Sequence, residues 1–408
     1  MSVHGQKYSR VSDPSGGSNQ SRVRAYNERL VLSLVRRHGS LPKSEIARRT
    51  GLSAQTVSVI MRALENDALL LRGEPQRGRV GQPSIPMSLD PSGVYSIGLK
   101  IGRRSAELTL VDFLGREIQV FRKTYEYPLP QPILDFTLNA LEKMTASLDE
   151  RQLARIAGIG VAMPFELWSW AEKIGAPPGG MEAWRCLDFR EELEKLVDFP
   201  IYLENDATSA CGAELVFGRG AEYADFVYFF VGTFIGGGIV LNHSVYYGRT
   251  GNAGALGSIP VYGPGENAQQ LIDQASVHGL EARLRQNGID PSPLWLSQSD
   301  WSGFEAELKE WIGTTAEAIA FAIAASCSVI DFETAIVDGG FPADVRRRLV
   351  EAIRCELGKL DLQGIVAPEV VEGLVGSNAR AIGAATLPLF ARYLLDQNVL
   401  FKDTAQAV

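Results

Sequence analysis

Residues 226–241 read FVYFFVGTFIGGGIVL. A continuous apolar run, 226–231, stops at glycine, and 238–241 is apolar again. Short apolar runs bounded by glycine are the mark of buried strands. Between them Gly232, Thr233, Gly236, Gly237 and Gly238 read as a turn whose N–H groups suit phosphate. The same glycines also suit a turn needed only for its backbone geometry. Outward from this segment, strands at 156–161, 201–203 and 335–337 interleave with helical stretches such as 344–357, which implies an α/β fold. Ile97, Leu99 and Ile101, then 106–112 and 118–120, form a three-strand meander, and that order recurs in weaker form after Ile239. Two similar halves with a cleft between them are expected.

The chain has 408 residues, enough for two to three domains. With 45% apolar and 22% charged residues it is globular in composition, which excludes a disordered chain. Cys186, Cys211, Cys327 and Cys355 are far apart and form no CxxC pair, so neither a disulfide scaffold nor a zinc ribbon is expected. The most apolar stretch, 316–330, carries Glu317 and falls short of the roughly 20 residues a membrane span needs. No targeting peptide is visible. The expectation is a soluble cytoplasmic protein with no membrane partner. The net charge of −8 is uneven: residues 1–90 hold 14 basic and 7 acidic side chains, giving +7, and the remainder is −15. A basic segment on an acidic body points to a polyanion for the first part alone.

That first part divides further. Residues 1–20 are polar and rich in Ser and Gly, as in a disordered tail. Across 21–90, Leu30, Val31 and Leu34 recur at helical spacing; a second helix spans 44–49, Gly51 turns the chain, and Ser53 caps a third helix that runs to Asn66. Residues 69–71 and 85–89 flank RGEPQRGRVGQP (72–83) as a two-stranded wing, and 90–93 read as a linker to the body, 91–408. The whole is a winged helix-turn-helix. On its third helix Val57, Ile60, Met61 and Leu64 form one apolar stripe, which leaves Gln55, Thr56, Ser58 and Arg62 outward, with Ser53 at the helix start. An amide, hydroxyls and a guanidinium suit base edges and phosphates, and Arg77 and Arg79 in the wing suit a narrow minor groove. Double-stranded DNA is the expected partner.

The winged helix followed by GLKIGRR (98–104), LENDATSA (203–210), GTFIGGGIV (232–240) and GRTGNAGALG (248–257) resembles ROK proteins, a family of repressors, open reading frames and sugar kinases. The resemblance covers the chain from about Arg22 and implies a two-lobed, actin-like ATPase fold. It implies that Asp206 matches the general base of the kinases and Asn205 a contact to sugar hydroxyls, whose donor and acceptor capacity such a pair meets. Capping of the following helix would use the same residue types. Gly339-Gly340 resembles the adenosine-side glycine pair, and 383–385 the closing helix.

The chain also departs from the pattern the resemblance implies. The phosphate loop of the kinases, Asp-x-Gly-Gly-Thr, is here Lys100-Ile101-Gly102-Arg103-Arg104, so an acidic residue has become Lys100. Lysine does not ligate Mg²⁺, and kinase activity is expected to be lost; Lys100 is instead expected to pair with Asp206. Ala255-Leu256-Gly257-Ser258 stands where Glu-x-Gly-His is implied, and Tyr262 to Asn267 where zinc cysteines are implied. No metal and no cofactor are expected. The leading expectation is a regulator of carbohydrate-metabolism genes, a repressor whose lobes respond to a sugar or sugar derivative and reset paired heads in a homodimer or tetramer. The alternatives are an ATP-dependent sugar kinase with an appended DNA-binding domain, and a DNA-binding scaffold that binds no small molecule.

Overall fold

The computed structural model describes residues 19–75, 84–171, 175–262, 268–296 and 300–395. The head begins with α1 (Asn19–His38), which buries Val31, Leu32 and Val35 at helical spacing. The second helix, α2 (Lys43–Thr50), ends because Gly51 adopts φ 70°, a left-handed conformation glycine takes without strain, and its N–H bonds Ala47 O. Ser53 then caps α3 (Ala54–Asn66), its hydroxyl accepting from Thr56 N at 3.1 Å. The stripe Val57, Ile60, Met61 and Leu64 is buried, as its spacing predicts. Strands β1 (Leu41–Pro42), β2 (Leu70–Arg72) and β3 (Pro86–Leu89) form an antiparallel sheet in the order β1-β3-β2. The wing therefore has a third strand, two residues long, too short to leave a periodic trace in sequence. Its tip, 76–83, lies outside the described residues, and Arg77 and Arg79 with it.

In the body, β4 (Tyr95–Ile101), β5 (Ser105–Asp112) and β6 (Glu117–Thr124) form an antiparallel meander. After the helix Pro130–Ala146, β7 (Ile156–Ala162) and β8 (Ile201–Glu204) add in parallel, giving the order β6-β5-β4-β7-β8. The second lobe repeats this plan. Strands β9 (Phe226–Val231), β10 (Ile235–Leu241) and β11 (Ser244–Val245) form the meander. A hairpin, β12 (Pro260–Tyr262) with β13 (Ala268–Gln270), intervenes. Then β14 (Thr334–Gly339) and β15 (Glu369–Glu372) extend the sheet in parallel, in the order β11-β10-β9-β14-β15. Ranked within each lobe, the two strand orders are identical, so the expected pair of similar halves is present.

Two helices join the lobes. The helix Asp206–Phe217 leaves the first sheet and packs on β10 of the second, and the helix Ala379–Arg392 leaves the second and packs on β4 and β7 of the first. Close approach requires glycine: a Cβ on Gly98 or Gly160 would strike the backbone of Ala381 or Ala384.

Residues 90–93 do not form a free linker. Asp90 caps a 3-10 turn over Pro91–Gly93, Gly93 is buried with Ala68 O above it, and Arg155 Nη1 donates to Gly93 O at 2.6 Å. Head and body share one apolar cluster in which Val31, Leu32 and Val35 of α1 join Phe113, Leu389 and Tyr393.

Candidate functional site

The first candidate surface is the outer face of α3. Gln55 and Arg62 are exposed and Thr56 and Ser58 half-buried, with Ser53 exposed at the cap. The Ser53 and Thr56 hydroxyls bond each other at 2.8 Å. Val59 shares this face with Gln55 and Arg62 and is 59% exposed, a large apolar side chain set among polar ones. Sequence reasoning passed over it because an exposed valine breaks no helical pattern; an apolar contact to a thymine methyl group would use it.

The second is a cleft of about 560 Å³ between the lobes, and Arg103, Trp170, Asn205, Asp206, Phe234 and Arg380 are among the side chains that line it. Asn205 caps the helix Asp206–Phe217, its Oδ1 accepting from Ala207 N (3.0 Å) and Thr208 N (3.3 Å). The capping alternative therefore holds, and Asn205 also faces the cleft. Asp206 begins the same helix, is 9% exposed, and accepts from Arg380 Nη1 at 3.3 Å. Arg380 rises from the first turn of the helix Ala379–Arg392 and lies 4.9 Å from the Phe230 ring centroid.

The expected Lys100–Asp206 pair does not form. Lys100 Nζ turns back on its own hairpin and donates to Ser105 Oγ (2.8 Å) and Ser105 O (3.2 Å), while Arg380 occupies Asp206. Burial, with the Arg380 charge adding to it, lowers the Lys100 amine to about 7. Arg103 crosses the cleft: its guanidinium carbon lies 4.7 Å from the Trp170 ring centroid in the first lobe and 4.1 Å from Phe234 in the second. Burial lowers Arg103 to about 9, against the pull of Asp206. Beside it, Arg104 Nη2 pairs with Glu281 of the second lobe at 3.1 Å.

The glycine turn differs from its expected form. Gly236, Gly237 and Gly238 lie within β10, opposite Phe230, Phe229 and Tyr228, and the turn is confined to residues 232–234. Gly236 and Gly238 face the helix Asp206–Phe217, where a Cβ would come within 2.8 Å of Ala207 and 2.5 Å of Cys211. Helix packing accounts for these glycines. Gly236 and Gly237 still line the cleft, whereas the carbonyls of Gly232 and Thr233 accept from Val277 N and His278 N. Ala255 and Ser258 also line the cleft, in the place where the resemblance implies Glu and His. Of the stretch where zinc cysteines are implied, 263–267 lie outside the described residues; among the described residues no cluster of three metal-ligating side chains occurs.

The profile of the ROK family matches residues 96–389, and that of a winged helix-turn-helix DNA-binding domain matches 24–67. The chain belongs to the ROK family. This ROK protein is 25% identical over 370 residues to the uncharacterized protein y4fQ of Sinorhizobium fredii, covering 90% of this chain and 91% of that one. It is 28% identical over 253 residues to the DNA-binding transcriptional dual regulator NagC of Escherichia coli, covering 61% of this chain and 60% of NagC. Its fold matches a ROK family transcriptional regulator described as a homologue of the E. coli Mlc protein, with TM-score 0.66, 18% identity and coverage of 91% and 98%. No described helix is long and apolar enough to cross a membrane.

Proposed function

We propose that this ROK protein is a transcriptional regulator, a repressor of carbohydrate-metabolism genes, which reads duplex DNA with α3 and the wing and is controlled by a sugar or sugar derivative in the interlobe cleft. The observation that carries this reading is the path from cleft to head. Two helices begin at the cleft, with Asp206 and Arg380 in their first turns, and both end at α1. At those ends Phe217 lies under the Arg36 guanidinium, and Arg392 O accepts from Arg29 Nε. At 1.5 Å per residue they are about 18 and 21 Å long. Closure of the lobes on a ligand is thereby passed to the DNA-reading head, and in a homodimer or tetramer it resets the spacing of two heads against half-sites about one helical turn apart.

In this reading the protein does not phosphorylate its ligand. Lys100 stands in the phosphate-loop position and bonds Ser105, Arg103 lines the cleft against Phe234, and Asp206 is engaged by Arg380. Asn205 and Asp206 would meet sugar hydroxyls; Gln55, Val59 and Arg62, with Arg77 and Arg79 of the wing, would meet DNA. The test is fluorescence anisotropy of the purified protein on the duplex upstream of its own gene, against unrelated duplex, with and without a panel of sugars and sugar derivatives. Selective binding that one of these ligands changes at least tenfold supports the reading. Absence of any duplex preference refutes it, and sugar-dependent ADP release that Asp206→Asn abolishes would make the protein a kinase.

A further inference from the structure

The charge in the cleft is out of balance for a neutral ligand. Two arginines, Arg103 and Arg380, line the cleft, and the Arg380 charge opposes the protonation of both Arg103 and the Lys100 amine. Among the described lining residues the acids are Asp206, which is buried and already engaged by Arg380, and Glu166, which is exposed. Arg103 is 9% exposed, lines the cleft, and makes no hydrogen bond or ion pair among the described residues, its Nε being fully enclosed without a partner. A buried guanidinium between two aromatic faces, with no ion pair of its own, keeps a desolvation cost that an anion in the cleft would offset. The N-terminal turns of the helices Asp206–Phe217 and Ala379–Arg392 meet at the same place and add positive potential.

We infer that the ligand of this cleft is an anionic sugar derivative, one bearing a phosphate or carboxylate that Arg103 and Arg380 bind while Asn205 and the lining polar groups take its hydroxyls. The inference rests on the reading of the cleft as an effector site and adds the chemical class of the effector. It also gives the ligand a means of moving the lobes. Arg103 leaves the first lobe and stacks on Phe234 of the second, so an anion that draws its guanidinium acts on a contact spanning the cleft.

The experiment is calorimetric titration of the full chain with matched triplets of a hexose, a pentose and an amino sugar, each as neutral sugar, sugar phosphate and sugar acid. Inorganic phosphate and acetate are the controls. Tighter binding of a phosphate or an acid than of its neutral parent, by at least tenfold, is the expected result, and the two charged arms identify which anion is used. Arg103→Met and Arg380→Met should each weaken that binding at least tenfold and lower the preference for the charged form over its neutral parent. If either variant fails to fold, competition of the charged probe by inorganic phosphate on the unaltered chain reads the same contact. The inference is overturned if a neutral sugar binds as tightly as its charged forms, if inorganic phosphate binds as tightly as any sugar phosphate, or if no charged probe binds. Operator binding released by a neutral sugar would end this inference while leaving the proposed regulator standing; loss of operator binding altogether would end the latter.

Discussion

Arg36→Met removes one set of contacts between head and body and leaves their shared apolar cluster in place. Arg36 leaves α1 toward the body, where Nη1 donates to Phe113 O at 2.5 Å and Nη2 to Leu114 O at 3.2 Å, and its guanidinium carbon lies 4.2 Å from the Phe217 ring centroid. Two charge-assisted bonds of about 1.5–3 kcal/mol each and a cation–π contact of about 1 kcal/mol favour the docked state. Opposing them is the loss of hydration that lowers this guanidinium to about 9, with Asp112 working the other way. Methionine keeps the contact with Phe217 and regains no charge to desolvate, so truncation should cost only about 1–3 kcal/mol of stability. The coupling is another matter. A tenfold response of operator affinity to effector corresponds to about 1.4 kcal/mol, the same size as the contact removed. Anisotropy titration of a labelled operator with and without saturating effector should show a tenfold response falling to twofold or less, with effector affinity unchanged. Hydrogen exchange should rise in α1 around residues 31–36. A variant that keeps its full response would show that the signal does not depend on the Arg36 contacts.

Lys100→Met should stabilise the protein by a few kcal/mol at pH 7 and below, since burial lowers this amine from 10.5 to about 7 and the folded state resists its protonation. Between pH 7 and 10.5 the unfolded chain binds the extra proton, so the wild type gains on the variant as pH rises, and denaturant titrations at pH 6.5 and 9 should show the gap narrowing. Arg346→Met removes the partner, 3.1 Å away, of Asp338, a fully buried carboxylate that burial already pushes above its ordinary range, and should cost about 3–5 kcal/mol. The exposed pair of Arg348 with Glu305 is the control, and Arg348→Met should cost under about 1 kcal/mol by urea denaturation. In the head, Gln55→Ala and Val59→Ala should relax base preference at separate operator positions by about 1–3 kcal/mol each, scored on a library of single-base operator variants; uniform loss on every sequence would contradict base contact.

The fold was legible where periodicity carries it. The stripe from Val57 to Leu64, the cap at Ser53 and the recurring meander all follow from spacing, and each is where the spacing puts it. Glycine was the weak letter. Gly236 to Gly238 look the same in a turn and in a strand pressed against a helix, and only the positions of Ala207 and Cys211 distinguish the two. Asp90 to Gly93 have the composition of a linker, yet Gly93 is there because Ala68 O leaves room for nothing larger. Charge partners were the least legible. Arg380 lies 174 residues from Asp206, and no local pattern brings them together. Glu214 is equally silent in sequence, though its buried carboxylate accepts the N–H groups of Arg219, Leu374 and Val375 and so ties two loops.

The path between cleft and head has the rigidity a lever needs. The helices Asp206–Phe217 and Ala379–Arg392 touch backbone to backbone, since a Cβ on Gly383 would strike Ser209, so neither slides without moving the other. One packs on β10 of the second lobe and the other on β4 and β7 of the first, and a change in lobe angle must therefore turn one helix against the other. A relative rotation of about 10° acting over roughly 20 Å displaces the far ends by about 3.5 Å, close to the rise of one base pair. Those ends do not meet a flexible tether. Ser33 Oγ accepts from Leu395 N at 2.8 Å, Phe113 and Tyr393 stack edge to face at 5.8 Å, and Gly93 is buried. A free linker would absorb a displacement of this size; a packed junction would pass it to α3, as the proposed control of DNA reading by the cleft requires.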